Sequence, residues 1–115
     1  MLTLLLLTLT SVYANLPVVL WHGMGDSCCD ENSIGYFKSA LESRLDVYVH
    51  SVQIGTDVSQ DEYAGFFGQI EQQVLSVCDL FQTIPELKGG FNAIGFSQGI
   101  SNFLVYYYNK IKLQV

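Results

Sequence analysis

Short apolar runs alternate with longer amphipathic stretches along this chain. Residues 16–21 (LPVVLW), 47–54 (VYVHSVQI) and 91–96 (FNAIGF) are rich in β-branched and aromatic side chains and are flanked by turn-forming residues. This pattern predicts three buried strands. After the first run, residues 33–45 repeat Ile34, Phe37, Leu41 and Leu45 near one helical face, with Ser33 placed to cap the helix. A longer helix is predicted over 61–84, where Phe66, Phe67, Ile70, Val74, Val77, Cys78 and Phe81 recur at i, i+3, i+4 and i+7. Asp61 and Glu62 suit its positive N-terminal end, and Gly65 and Gly68 weaken its first turns. Pro85 and the KGG turn end it. A last stripe of Ile100, Phe103, Leu104, Tyr107, Tyr108 and Ile111 predicts a final helix.

The order β-α-β-α-β-α implies crossovers between parallel strands, hence an α/β fold with a sheet covered on both faces. Ligands in such sheets bind beyond the carboxyl ends of the strands. Both Gly-rich stretches, HGMGD after the first strand and GFSQG after the third, fall at such ends. This coincidence singles out that end of the sheet as the site.

Residues 1–14 (MLTLLLLTLTSVYA) are apolar from Leu2 to Leu9, and Val12 and Ala14 stand at −3 and −1 before Asn15. They predict a cleaved signal peptide, although its basic leading region is missing. The run is too short for a bilayer, which takes about 20 apolar residues. Residues 15–115 then form one domain, addressed to the secretory route. Of the 115 residues, half are hydrophobic and 14% charged, which excludes a disordered, solvated chain. The net charge of −6 and five unclustered Lys and Arg residues argue against nucleic acid as a partner. Three cysteines, Cys28, Cys29 and Cys78, give an odd count. Adjacent cysteines are not a zinc spacing, so neither a metal site nor a cofactor is expected.

Gly95-x-Ser97-x-Gly99 between a strand and a helix is the context of a nucleophile elbow. A tight turn demands small flanking residues and lifts the serine hydroxyl above the sheet. The N–H of Gln98, at the start of the next helix, faces a developing oxyanion, and the loop His22-Gly23-Met24-Gly25-Asp26 is placed to supply a second donor. His22 fits a loop-fixing role better than that of general base, and His50 lies within a strand. Asp26 and Asp30 read as loop and cap residues. Cys28 and Cys29 are either a vicinal disulfide that stiffens the loop or two thiols. After Ser97 there is no Asp, Glu or His, so the acid and base of an Ser-Asp-His order are missing from residues 98–115.

The stretches LPVVLWHGMGDSCC and GFNAIGFSQG closely resemble the lysosomal palmitoyl-protein thioesterases, which are α/β-hydrolases that remove long-chain acyl groups from protein cysteines. YVHSVQIG and QIEQQVLSVC are similar too. The resemblance covers residues 16–99, the N-terminal portion of the fold, and 100–115 diverge, with Ile100 where a small residue is expected. It implies Ser97 as nucleophile, Met24 and Gln98 as backbone oxyanion donors, and supporting roles for His22, Gly23, Gly25, Gly95 and Gly99. It further implies a Cys28–Cys29 disulfide and a disulfide from Cys78 to a later cysteine. S-palmitoylated proteins would be the substrates and the lysosome or the secreted space the location. The chain is expected to be truncated and inactive alone. The alternatives are a non-catalytic fragment or secreted binding module, and a broader esterase or lipase.

Overall fold

A computed structural model describes residues 15–113, with side chains through Lys110. Residues 1–14, and with them the expected signal peptide, lie outside the described part. Three strands, β1 (Val18–Trp21), β2 (Val49–Ser51) and β3 (Asn92–Gly95), form one parallel sheet in the order β2-β1-β3. Helix α1 (Ile34–Leu45) joins β1 to β2; α2 (Val58–Phe67), α3 (Ile70–Gln82) and a 3₁₀ turn (Pro85–Leu87) join β2 to β3; α4 (Gln98–Leu113) follows. This is the parallel, alternating arrangement of the first part of an α/β-hydrolase fold.

Strand β1 is buried along its whole length because it is central and covered twice. Its side chains alternate between two cores. Val18 and Leu20 join Ile34 and Val49 under α1, with Phe37 and Leu41 packed against them. Val19 and Trp21 join Val52, Val74, Val77, Phe81, Leu87, Phe103 and Tyr106 under α3 and α4. Trp21 meets Phe103 edge to face at 5.5 Å.

The long helix predicted over 61–84 is two helices. Asp57 caps α2 by accepting from the Gln60 N–H at 2.8 Å, so the helix begins at Val58. It ends where Gly68 turns extended (ψ 157°). There the Gln73 side chain donates to the Ala64 carbonyl at 3.0 Å, in the place a Cβ on Gly68 would occupy. The expected Ser33 cap also differs. Ser33 makes no capping bond, and its hydroxyl donates to Asp26 Oδ2 instead.

The final helix forms as predicted, but most of its stripe does not face the core. Phe103 is buried, whereas Ile100, Leu104, Tyr107 and Tyr108 are exposed, and the inward face is completed by Tyr106, which lies outside the predicted stripe. Gly99 fixes this orientation by packing directly on the Trp21 carbonyl.

Candidate active site

Strand order places the site. From β1 the chain crosses to one side to make β2, then returns past β1 to make β3. The connection after β1 is packed on one face and α4 after β3 on the other. A crevice therefore opens at the carboxyl ends of β1 and β3, the point where an open α/β sheet binds ligands.

The turn after β3 occupies this crevice. Phe96 N–H donates to the Trp21 carbonyl at 2.9 Å, extending the sheet by one bond. Ser97 then adopts φ +52°, the left-handed region that non-glycine residues avoid. The chain immediately enters α4, with Gly99 N–H bonded to Phe96 O at 2.9 Å and Ile100 N–H to Ser97 O at 3.0 Å. A Cβ on Gly95 would lie 2.6 Å from the Ile100 nitrogen, and one on Gly99 would collide with the Trp21 carbonyl. Both flanking glycines are thus required by backbone contacts. Ser97 itself is exposed, and Ile100, where a small residue was expected, points outward and meets no such constraint.

The loop after β1 lies directly beside this turn. A Cβ on Gly23 would sit 3.2 Å from Ser97 Cβ and 3.1 Å from the Phe96 carbonyl oxygen. Gly25 is left-handed at φ +83°, and Met24 between them is exposed. Helix α2 braces the loop, since Gly65 packs against Met24 Cα and the Gly25 nitrogen. The Gln98 side chain ties the elbow to the same helix by donating to the Gly65 carbonyl at 3.1 Å. An apolar cleft of about 470 Å³ runs beside the loop, lined by Met24, Ile34, Phe37 and Phe96 among others.

Beneath the loop is a buried polar cluster that sequence reasoning missed. Asp61, read from sequence as a helix-start residue, is fully buried. Its Oδ1 faces His22 Nε2 at 2.8 Å and accepts from Ile54 N–H at 2.9 Å, and its Oδ2 accepts from Cys28 N–H at 2.8 Å. His22 Nδ1 faces the Gly23 carbonyl at 2.9 Å. With an acceptor at each ring nitrogen, the doubly protonated imidazolium is the form that satisfies both. Burial pulls the His22 pKa down, but the Asp61 and Gly23 hydrogen bonds and the charges of Asp61 and Asp26 outweigh it and hold it above 6.5. A ring so engaged has no free nitrogen for Ser97.

His50 stands in β2, with β1 between it and the elbow strand. It packs edge to face on Phe81 at 5.8 Å, and burial, then the Lys38 charge, lowers its pKa. Asp26 accepts from Ser27 N–H at 2.8 Å and from Ser33 Oγ, and Asp30 accepts from Asn32 N–H at 2.8 Å; both carboxylates are occupied in shaping the loop. Cys28 and Cys29 sulfurs are in bonding contact. Cys78 is a half-buried free thiol on α3 whose pKa is raised by burial. Among the described residues no group of three or more His, Cys, Asp or Glu is placed to hold a metal, and no helix is long and apolar enough to cross a membrane.

Comparison with known proteins identifies the family. The family model described as Palmitoyl protein thioesterase matches residues 17–109. Palmitoyl-protein thioesterase 1 of Caenorhabditis elegans is 48% identical over 84 residues, 72% of this chain and 28% of that protein. Palmitoyl-protein thioesterase 3 of Dictyostelium discoideum is 35% identical over 109 residues, 92% of this chain and 35% of that protein. The palmitoyl-protein thioesterase-dolichyl pyrophosphate phosphatase fusion 1 of Schizosaccharomyces pombe is 34% identical over 84 residues, 73% of this chain and 13% of that protein. The chain thus spans between 13% and 35% of the length of these relatives.

Proposed function

Because the chain belongs to the palmitoyl protein thioesterase family, we propose that Ser97 is the acyl-accepting nucleophile of a thioesterase-like serine hydrolase acting on long-chain acyl thioesters of protein cysteines. The observation that carries this reading is the left-handed Ser97 between Gly95 and Gly99, facing Gly23. A strained, exposed serine at a helix start, opposite a Gly-rich loop, suits attack on a carbonyl whose oxygen is met by backbone N–H groups. Met24 and Gln98 are the residues whose N–H groups serve as those donors, and the braces from Gly65 and the Gln98 side chain hold them in place.

In the proposed first step the Ser97 oxygen bonds to the acyl carbon, the carbon–sulfur bond breaks, and the serine proton passes through solvent to the departing sulfur, releasing the protein cysteine. A thiolate is a good leaving group, since cysteine has a pKa of about 8.5. Water then cleaves the acyl-serine ester, a step that needs a base. His22 is committed to Asp61 and Gly23, and residues 98–115 contain no Asp, Glu or His. None of the described residues is therefore assigned as base or acid, and the 115-residue chain alone is expected to turn over negligibly. The apolar cleft beside Met24 and Phe96 is suited to the start of the acyl chain. Cys28 and Cys29 are proposed to form a disulfide, with residues 1–14 directing the protein to the lysosome or out of the cell.

A second reading, a non-catalytic binding module, is favoured by one observation: the exposed stripe of Ile100, Leu104, Tyr107 and Tyr108 on α4. Release of thiol from a palmitoyl-cysteine peptide, measured for the chain and for Ser97→Ala, tests both. The proposal expects at most about one equivalent of thiol per chain, dependent on Ser97, and no sustained release. Sustained release that Ser97→Ala abolishes would contradict the inactivity of the chain alone, and sustained release that survives Ser97→Ala would contradict the nucleophile.

A further inference from the structure

Helix α2 presents an exposed aromatic face that no step above uses. Tyr63, Phe66 and Phe67 are 65%, 58% and 71% exposed. Phe67 lies 4.9 Å from Tyr63 and 6.2 Å from Phe66, centre to centre. Three clustered rings in water mark an interaction surface. The face runs directly into the candidate site. Phe66 overhangs Gly25, where an added Cβ would meet the ring at 3.1 Å, and the neighbouring Met24 is 57% exposed.

The charges around this face are of one sign. The segments beside the rings carry Asp26, next to the Gly25 that Phe66 overhangs, and Asp57 and Glu62 at the start of the same helix. Their single imidazolium, His22, is buried against Asp61. The described basic side chains lie off this face; Lys38 lines a cavity with Cys29 and Glu31 on the α1–β2 side. Lys38 pairs with Glu42 at 2.6 Å within α1, Arg44 is in the last turn of α1, Lys88 precedes β3, and Lys110 is late in α4. A partner for this end of the sheet is therefore apolar and cationic. An anionic bilayer, or a second copy with the same acidic fringe, would be repelled. A peptide with Lys or Arg beside apolar residues satisfies the carboxylates and stacks its cations on the rings.

We infer that the Tyr63–Phe66–Phe67 face and its fringe of carboxylates seat the polypeptide of an S-acylated substrate and select sequences with basic residues flanking the acyl-cysteine. The inference rests on the thioesterase reading only in supposing that an acyl group accompanies the peptide.

Binding without hydrolysis tests it. Acyl peptides in which diaminopropionate replaces cysteine carry the chain through an amide, and Lys-flanked, Ser-flanked and Glu-flanked versions are titrated into the full chain by fluorescence anisotropy. At low salt the Lys-flanked peptide should bind about tenfold more tightly than the Glu-flanked one, and high salt should narrow the gap. Phe66→Ser combined with Phe67→Ser should weaken the Lys-flanked peptide about fivefold while leaving the far-ultraviolet circular dichroism unchanged, since both rings are exposed. Glu62→Lys should shrink the Lys-over-Glu preference and serves independently if the double variant fails to fold. Equal affinity for the three peptides, or a preference untouched by Glu62→Lys, would overturn the inference. The readout involves no attack by Ser97, so a failed nucleophile assignment leaves these outcomes intact.

Discussion

The imidazole of His22 and the carboxylate of Asp61 meet at 2.8 Å across 39 positions of sequence, both buried beneath the loop that faces Ser97. Asp61 also receives the backbone N–H groups of Cys28 and Ile54, so a single side chain from α2 joins the ends of β1 and β2 and the loop between β1 and α1. Removing it strands an imidazolium and two amides in the interior. Asp61→Ala is expected to destabilise the fold by about 3–5 kcal/mol, the range for breaking a buried pair, measured by urea unfolding. A loss within experimental error of zero would show that the cluster is not coupled to folding.

The same pair predicts a pH dependence. The folded His22 pKa lies above its unfolded value near 6.5. Its contribution is then fully present below about pH 6 and is lost as pH rises through the higher folded pKa. The stability difference between the chain and His22→Asn should be largest at mildly acidic pH and shrink on the alkaline side. A difference that grows with pH would mean the ring is held neutral.

Strain at the elbow has its own signature. Ser97 is left-handed, a conformation that costs a non-glycine residue about 1–2 kcal/mol. Ser97→Gly should therefore be more stable than Ser97→Ala by about 1 kcal/mol. Gly99→Ala should cost about 3 kcal/mol, since the atom it meets is the Trp21 carbonyl, held in the sheet and unable to swing away.

On α4, two adjacent large side chains should behave oppositely. Phe103 is buried against Trp21, so Phe103→Ala should cost about 3–5 kcal/mol. Leu104 is exposed, so Leu104→Ser should stay within about 0.5 kcal/mol of the starting chain and reduce self-association if the stripe is adhesive. Equal costs at both positions would mean that α4 is rotated from the orientation described.

These contrasts mark what could be read from the sequence. The elbow was legible because its demands are local: Gly95, Ser97 and Gly99 lie within five residues of one another, and each answers to a turn that only small residues permit. The parallel sheet and the facing Gly-rich loop followed from alternation of apolar runs and amphipathic stretches, whereas the spatial order β2-β1-β3 did not. Asp61 was not legible, because its partners come from three distant segments and its position in the first turn of a helix already had a sufficient local reason. The one available signal was its spacing from Gly65, which puts both on the same buried face of α2. The split of the long helix was foreshadowed by Gly68 but decided by Gln73, whose side chain competes for the Ala64 carbonyl. In α4, apolar residues cover more than one face, so periodicity alone could not choose the inward one. The close approach of Gly99 to β1 made that choice.

The most direct test of the account is the location of an acyl group on the protein. The chain is incubated with a palmitoyl thioester, treated with neutral hydroxylamine to strip thioester-linked acyl from Cys78 and any other thiol, and mapped by peptide mass spectrometry. The account predicts that an oxygen-ester adduct accumulates on the peptide containing Ser97, is released slowly, and is absent in Ser97→Ala. An adduct spread over the exposed serines, and unchanged by Ser97→Ala, would contradict it.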